Sequence, residues 1–559
     1  MMTYHARTSA AVRGAVLGAA ILGAAILGAA TACVTVRREP ETTTAASTPA
    51  PATPAPVAPP AAVTTSAASA VGGAAFSITS LDSEPLPAQV MVTIPPDSGM
   101  VRALIVAGVR DSHVAADLAY LSDVIGPRLT GTEGLRRAND WTARKFREYG
   151  ADSAWEEAWR FGQGWQRGPM VVDLLAPHRQ SLYAASWAWA PGTSGPVTGP
   201  VTILSATTAA ALTRDSAAIR GRWVMVRPPA LIHNNDGPPM THADSLQADS
   251  AAHAAAALTD AQRQFRREIP DRLAAAGALG TLQDGSKEFG LLSMSGSPLQ
   301  LYPLPSIVLP HESYAMLWRL RQARVDVTLR ADIANTLTAD TLTAYNTVAE
   351  IRGADRPDEV VLLGAHLDSW DLGTGTTDNG AGAIAVLEAA RILSTALTAA
   401  RVRPSRTIRF VLFTGEEEGL LGSEAYAKRH ADELAKVQAV LVLDNGTGRI
   451  TGIALQERRE LHDAWLSVLG PAASLGPFSI RPSNKGGTDH LSFLSYGVPS
   501  FNYDQETRGY GHTHHSQVDT FDHALPDDLA QAATVMAVNA YELAEADELL
   551  PRGSVRATP

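Results

Sequence analysis

A single cysteine, Cys33, stands in 559 residues. That scarcity excludes an intramolecular disulfide framework and any multi-cysteine zinc or iron–sulfur site. A metal, if the chain takes one, must sit on His, Asp and Glu. Positive charge is also short: 46 Lys+Arg face 57 Asp+Glu, a formal net charge of -11. A nucleic-acid partner held by overall positive charge is therefore not expected. Charged residues make up only 18% of the chain and hydrophobic ones 45%, ample for a large core. Length alone suggests roughly three or four domains at ~150 residues each, a figure that falls once non-globular sequence is set aside.

Two such stretches stand at the start. Arg7 and Arg13 precede an apolar run over residues 15–32 that ends in small residues before Cys33. A charged beginning, an apolar centre and small residues before a cut describe an export signal. Ala30-Thr-Ala-Cys33 resembles the lipobox of bacterial lipoproteins, in which the thiol is acylated. A plain secretory signal, or an uncleaved anchor helix, is the alternative. Either way the folded part is expected outside the cytoplasm, as a cell-envelope lipoprotein or a secreted protein. Residues 34–75 follow, with Pro49, Pro51, Pro54, Pro56, Pro59 and Pro60 among Ala, Thr and Ser. Too few bulky apolar groups stand there to offset ordering entropy, so a disordered linker is expected.

Beyond it, apolar positions at helical spacing predict two helices over 114–149, joined by a loop at Gly126-Pro-Arg128 and Thr130-Gly-Thr132. Short β-rich runs at 197–203, 221–226, 306–309 and 325–329 suggest an inserted β-containing module. From residue 349 onward strands and helices alternate. Residues 359–365, 407–413 and 437–443 read as strands buried on both faces, and 382–397 and 420–434 as helices. This predicts an α/β fold with a mixed, largely parallel sheet flanked by helices. The polar residues collect where those strands end, at His366, Asp368, Asp378, Glu416, Glu417 and Asp444, with His515 in a late loop. In such sheets ligands bind at the carboxyl edge. Acidic groups gathered there repel unless a cation compensates them.

The blocks Gly364-Ala-His-Leu-Asp-Ser-Trp-Asp371, Thr377-Asp-Asn-Gly-Ala-Gly382, Phe413-Thr-Gly-Glu-Glu-Glu-Gly-Leu-Leu-Gly-Ser423 and His515-x-x-x-Asp-Thr520 together resemble the M28 family of zinc peptidases. The Trp-Asp of the first block and the His-His-Ser of the last resemble its carboxypeptidase Q-like branch. Gly126-Pro-Arg-Leu-Thr-Gly131 resembles the same family's N-terminal segment. Within the middle region, Gly221-Arg-Trp-Val-Met-Val226, Leu273-Ala-Ala-Ala-Gly-Ala278 and Pro305-Ser-Ile-Val308 resemble a protease-associated domain. The division that follows is 1–33 signal, 34–75 linker, 76–185 first part of the peptidase domain, 186–341 protease-associated insert, 342–550 catalytic part and 551–559 disordered tail.

The resemblance implies two zinc ions per chain, bridged by Asp378, with His366 and Asp444 on one and Glu417 and His515 on the other. Zinc takes such nitrogen and oxygen ligands, and two ions about 3.5–4 Å apart can activate a water and polarise a carbonyl. Glu416 would be the general base. Asp368 would hold His366 in its ligating tautomer, a strand-end cap being the alternative. Asp519 would orient His515 or cap the next helix. His514 stands where related glutamate carboxypeptidases have a Tyr, and is expected to donate to the developing oxyanion. Asp489 and His490, in Gly486-Gly-Thr-Asp-His490, are candidates for the substrate pocket, with a structural turn the equal alternative. In the family the bridging ligand is followed by a non-proline cis peptide, here Asp378-Asn379. His430, His512 and His523 match no ligand position.

The implied activity is an exopeptidase acting on terminal bonds of di- or oligopeptides, aminopeptidase and carboxypeptidase both open. Peptides are the expected partners, with no nucleic acid, a membrane reached through lipidated Cys33, and a homodimer left open. Two competitors use the same fold: a catalytically inactive surface receptor, and a glutaminyl-cyclase-like aminoacyl transferase.

Overall fold

The computed structural model describes residues 78–80, 86–230, 232 and 259–553. The expected signal with Cys33 and the linker lie outside them, as does most of the C-terminal tail. A nine-stranded sheet runs, edge to edge, through Ile78–Ser80, Phe478–Arg481, Ile450–Ala454, Ser500–Gln505, Val437–Val442, Arg356–His366, Arg406–Phe413, Thr336–Ile351 and Ser153–Gln166. Its middle is parallel: Arg356–His366 pairs in parallel with Arg406–Phe413 on one side and Val437–Val442 on the other, and the latter with Ser500–Gln505. Antiparallel pairs occur where Thr336–Ile351 joins Arg406–Phe413 and Ser153–Gln166, and where Ile450–Ala454 joins Ser500–Gln505.

The strands' continuous apolar runs follow from burial on both faces. Val361, Leu363 and Ala365 point into one core, and Val360 and Leu362 into another. The same alternation divides Ile408, Phe410 and Leu412 from Val411 and Phe413. A period of two on a strand covered twice leaves few polar positions, because each side chain meets packed groups on its own side; Arg409 is an exception, paired with Glu350 at 2.6 Å. The first core packs the sheet against helices Ser98–Arg110, Glu133–Glu148, Ala381–Ala400 and Pro526–Glu545. Fully burying one such Leu or Val stabilises by about 1.5–3 kcal/mol. Ala381–Ala400 is buried nearly throughout and carries one ion pair inward, with Arg391 Nη2 2.7 Å from Glu388 Oε1.

The two helices expected over 114–149 are present as Val114–Ala119, continued by a π turn at Tyr120–Ile125, and Glu133–Glu148, whose start is capped by Thr132 accepting from the Leu135 amide. The helix expected over 420–434 is shorter, Leu421–Arg429. There the chain turns off, and His430 Nε2 lies 3.0 Å from Glu157 Oε2. The run expected at 325–329 forms its strand later, at Thr328–Ile333, because Val325 is still tied to the preceding helix through its amide and the Leu320 carbonyl.

A second, eight-stranded mixed sheet takes its strands from residues 170–333. Two of them, Met170–Ala176 and Gln180–Leu182, precede residue 186, and Met170–Ala176 pairs antiparallel with Thr328–Ile333. Val197–Ile203, Trp223–Met225, Gly280–Asp284 and Ser306–Leu309 form its parallel part. Helices Asp260–Ala275 and His311–Gln322 come from Ala- and Arg-containing stretches between these strands. A cluster containing Leu129, Trp159 and Trp370 from the larger sheet's side and Trp189, Leu292, Met294 and Val308 from the smaller one's joins the two sheets.

Candidate metal centre

Parallel pairing brings three strand ends to one edge. His366 is the last residue of Arg356–His366, Asp444 follows Val437–Val442 by two residues, and Glu416 and Glu417 follow Arg406–Phe413 by three and four. Asp378 arrives from the turn before helix Ala381–Ala400, and the Asp378-Asn379 peptide is cis, the bond at which the resemblance places it. That turn is held by Asn379, whose Nδ2 donates to the Leu443 carbonyl at 2.9 Å while its Oδ1 accepts from the Gly382 amide at 2.8 Å. A Cβ at position 382 would lie 2.2 Å from the Leu443 oxygen. Glycine there permits the close approach that sets Asp378 beside Asp444.

The candidate ligands converge. His366 Nε2 lies 3.5 Å from Asp378 Oδ1 and 3.5 Å from Asp444 Oδ1. His515 Nε2 lies 3.0 Å from Glu417 Oε2 and 3.5 Å from Asp378 Oδ2. Asp378 thus touches both groups. His366 Nε2, Asp378 Oδ2, Glu417 Oε1 and Asp444 Oδ1 are buried with no hydrogen-bond partner. Orphaned polar atoms of this kind are costly unless something else satisfies them. Burial pushes the Glu416 and Glu417 carboxyls well above the ordinary range, and neighbouring carboxylates add to it. For His366 burial acts downward, but Asp444 and Glu416 outweigh it and draw the imidazole well above its ordinary value. A donor set of imidazole and carboxylate atoms facing one another fits zinc.

The surroundings assign further partners. His366 Nδ1 meets the backbone carbonyl of Asp368 at 3.1 Å, nearer than that residue's carboxylate at 3.6 Å. The Asp368 carboxylate instead accepts from the Thr130 hydroxyl at 3.1 Å and the Glu417 amide at 3.3 Å, so it supports the loop of another ligand. Asp519 accepts from the Thr377 amide at 2.6 Å and the Asp378 amide at 3.1 Å. Both its oxygens therefore serve the Asp378 turn, rather than His515 or the start of the next helix.

A cavity of about 450 Å³ opens over these groups, lined among others by Asp378, Glu416, Glu417, Asp444, His514 and His515. Glu416 Oε2 is 3.9 Å from His366 Nε2. His514 is 45% exposed and stacks on His515 with ring centroids 3.7 Å apart. Asp489 and His490 are fully buried behind the wall, and the cavity meets Gly486 and Gly487 of their loop instead. His490 Nε2 is held by the Lys485 carbonyl at 2.9 Å, a structural turn. Burial lifts the Asp489 carboxyl to about 7 and lowers His490 to about 4.

Two residues with no role in the sequence reading belong to the site. Tyr510 lines the cavity and donates its hydroxyl to Asp378 Oδ1 at 3.0 Å. Arg128, fully buried, donates Nε to the Leu367 carbonyl at 2.7 Å, and Nη1 and Nη2 to Thr374 and Gly375 at 2.7 and 2.6 Å. It thereby braces the loop between His366 and Asp378. The Gly126-Pro-Arg-Leu-Thr-Gly131 block drew attention to Arg128 without a role, and nothing in the spacing around Tyr510 marked it.

Comparison with known proteins agrees with this architecture. A model of peptidase family M28 matches residues 346–540. The chain is 28% identical over 444 residues to carboxypeptidase Q of Mus musculus, covering 78% of this chain and 86% of that one. It is 27% identical over 443 residues to carboxypeptidase Q of Homo sapiens, with the same coverage. Among solved structures, a peptidase M28 precursor from Shewanella amazonensis superposes with a TM-score of 0.66 at 26% identity, over 81% of this chain and 98% of that one. A zinc aminopeptidase from Bacillus subtilis shares the fold, with a TM-score of 0.56 at 20% identity over 77% of this chain and 94% of that one.

Proposed function

Since the chain belongs to peptidase family M28, with carboxypeptidase Q among its relatives, and is a metallo-exopeptidase, we propose that it hydrolyses a terminal bond of di- and oligopeptides at the cavity around Asp378, using two zinc ions. The observation that carries this reading is the set of buried, unpartnered ligand atoms on His366, Asp378, Glu417 and Asp444. His366 and Asp444 would hold one ion, Glu417 and His515 the other, and Asp378 both. Bound zinc supplies the Lewis acidity for peptide hydrolysis. Glu416, in the cavity wall but outside the ligand pairs, takes a proton from the attacking water and passes it to the leaving amine nitrogen. His514, exposed in the same wall, donates to the carbonyl oxygen as it gains charge. Asp368 supports the Glu417 loop, and its carbonyl fixes the His366 tautomer.

A dipeptide panel blocked at either end, incubated with zinc-loaded protein, tests the activity and shows whether a free amino or a free carboxyl terminus is required. Cleavage of unblocked peptides that disappears in Glu416→Gln is expected. No cleavage of any unblocked peptide would overturn the reading.

Two further parts of the proposal rest on sequence blocks. The smaller sheet is a protease-associated module, supported by the three blocks that fall on strand Trp223–Met225, the end of helix Asp260–Ala275 and strand Ser306–Leu309. Cys33, after its apolar run, carries a lipid that tethers the exported chain. Cys33→Ser is expected to move the protein from the membrane to the soluble fraction.

A further inference from the structure

One segment of the smaller sheet's region, residues 286–299, reaches across to both loops that carry the His515 and Glu417 pair. The Met294 amide donates to the His515 carbonyl at 2.9 Å. The Leu292 amide donates to Gln517 Oε1 at 2.9 Å, and Gln517 Nε2 donates back to the Gly290 carbonyl at 3.1 Å. Lys287 Nζ donates to the Gly511 carbonyl at 2.5 Å. At the segment's other end, the Ser297 hydroxyl donates to the Glu418 carbonyl at 3.2 Å, next to Glu417. Leu292 and Met294 are themselves locked, both buried in the cluster that joins the two sheets.

His515 needs such support. Its φ is 59°, in the left-handed region that costs a side-chain-bearing residue of order 1 kcal/mol and persists only when surroundings impose it. The Met294 bond fixes the carbonyl of that strained residue, and the two Gln517 bonds fix the loop two residues further on. The comparable supports of His366 and Asp378 come from the larger sheet's own side: the Asp368 carbonyl, Asn379, Asp519 and Arg128.

We propose that residues 286–299 act as a strap that positions one half of the metal centre, the His515 and Glu417 half, and that Gln517 is the positioning residue through which it acts. This rests on the metal-site reading above. The two half-sites then differ in what holds them. One is built by the larger sheet alone, whereas the other is completed by the smaller sheet's region.

The test is zinc binding by the full-length protein, with affinity and stoichiometry from chelator competition. Wild type is expected to take up two zinc ions. Gln517→Ala should keep one at wild-type affinity and weaken the other by about 10-fold or more, as is usual when a ligand's outer support is lost. Gln517→Glu keeps the acceptor for Leu292 and should fall between. Ser297→Ala, which removes the Glu418 bond together with a local one from the Leu299 amide, should weaken the same ion less. In a His515→Ala background, adding Gln517→Ala should leave the remaining zinc unchanged. Two ions retained within twofold in Gln517→Ala, or both weakened equally, would overturn the strap alone. A wild type that binds no zinc would instead overturn the metal-site reading, and the strap with it.

Discussion

Arg128 Nη2 holds the Gly375 carbonyl at 2.6 Å, three residues before Asp378. The same guanidinium reaches Leu367 and Thr374, so one buried cation braces both ends of the loop between two candidate ligands. Burial lowers its pKa to about 10, with Asp519 and Asp368 acting the other way, and it remains charged at neutral pH. Arg128→Met would strand several carbonyls at ~1–3 kcal/mol each. We expect a loss of at least about 3 kcal/mol in urea unfolding on that basis. Arg128→Lys should not rescue it, because one ammonium cannot reproduce the guanidinium fork.

Glu416 and Glu417 are neighbours in sequence with separable roles. Glu416→Gln should cut kcat/KM by roughly 10²–10⁴ while zinc content stays at wild-type level. Glu417→Gln should lower zinc content as well. Steady-state kinetics beside metal analysis of the same preparations separates the two.

His514 stacks on His515 without sharing its short contact to Glu417. His514→Ala should lower kcat by about 10²-fold, the usual cost of a lost oxyanion donor, with zinc retained. A change within twofold would remove His514 from the reaction.

Glu542, on helix Pro526–Glu545, gives a pH signature away from the site. Burial lifts its carboxyl from 4.5 to about 7, and Asp97 and Glu545 add to the shift. A carboxyl raised in the folded state favours folding below its unfolded pKa, and that contribution is lost as pH rises toward 7. Glu542→Gln should therefore change stability little at pH 5 and raise it at pH 8. Thermal unfolding at the two pH values checks the sign.

Much of this was legible in the sequence because it depends on residue type at strand ends. A strand buried on both faces is apolar along most of its length, so 359–365, 407–413 and 437–443 stand out despite Arg409 and Gln438, and His366, Glu416 and Asp444 follow from where those runs stop. Residues that act on backbone atoms were harder. Asp519 serves two amides and Arg128 four carbonyls, and a backbone partner leaves no matching side chain to find. Tyr510 reaches Asp378 from 132 positions away. Asp489 and His490 share a block with the cavity-lining Gly486 and Gly487, and only burial separates the two pairs. The strap was invisible for a different reason: Met294 and Leu292 contribute amides, which every residue but proline possesses.

The helix that follows Asp378 bears on the proposal that the chain is exported. The segment Thr376–Ala400 is, by length and composition, apolar enough to cross a bilayer, although it lies mostly buried in the fold. Were the chain exported as proposed, passage through a translocation channel would offer that segment a lateral exit into lipid. Glu388 and Arg391, paired inside the folded helix, are the groups that oppose this exit. A charged residue such as Arg at the centre of an inserting helix costs about 2.5–3.5 kcal/mol. On that proposal, the same two charges that pair inside the fold would bias this apolar segment away from lodging in a membrane and toward folding.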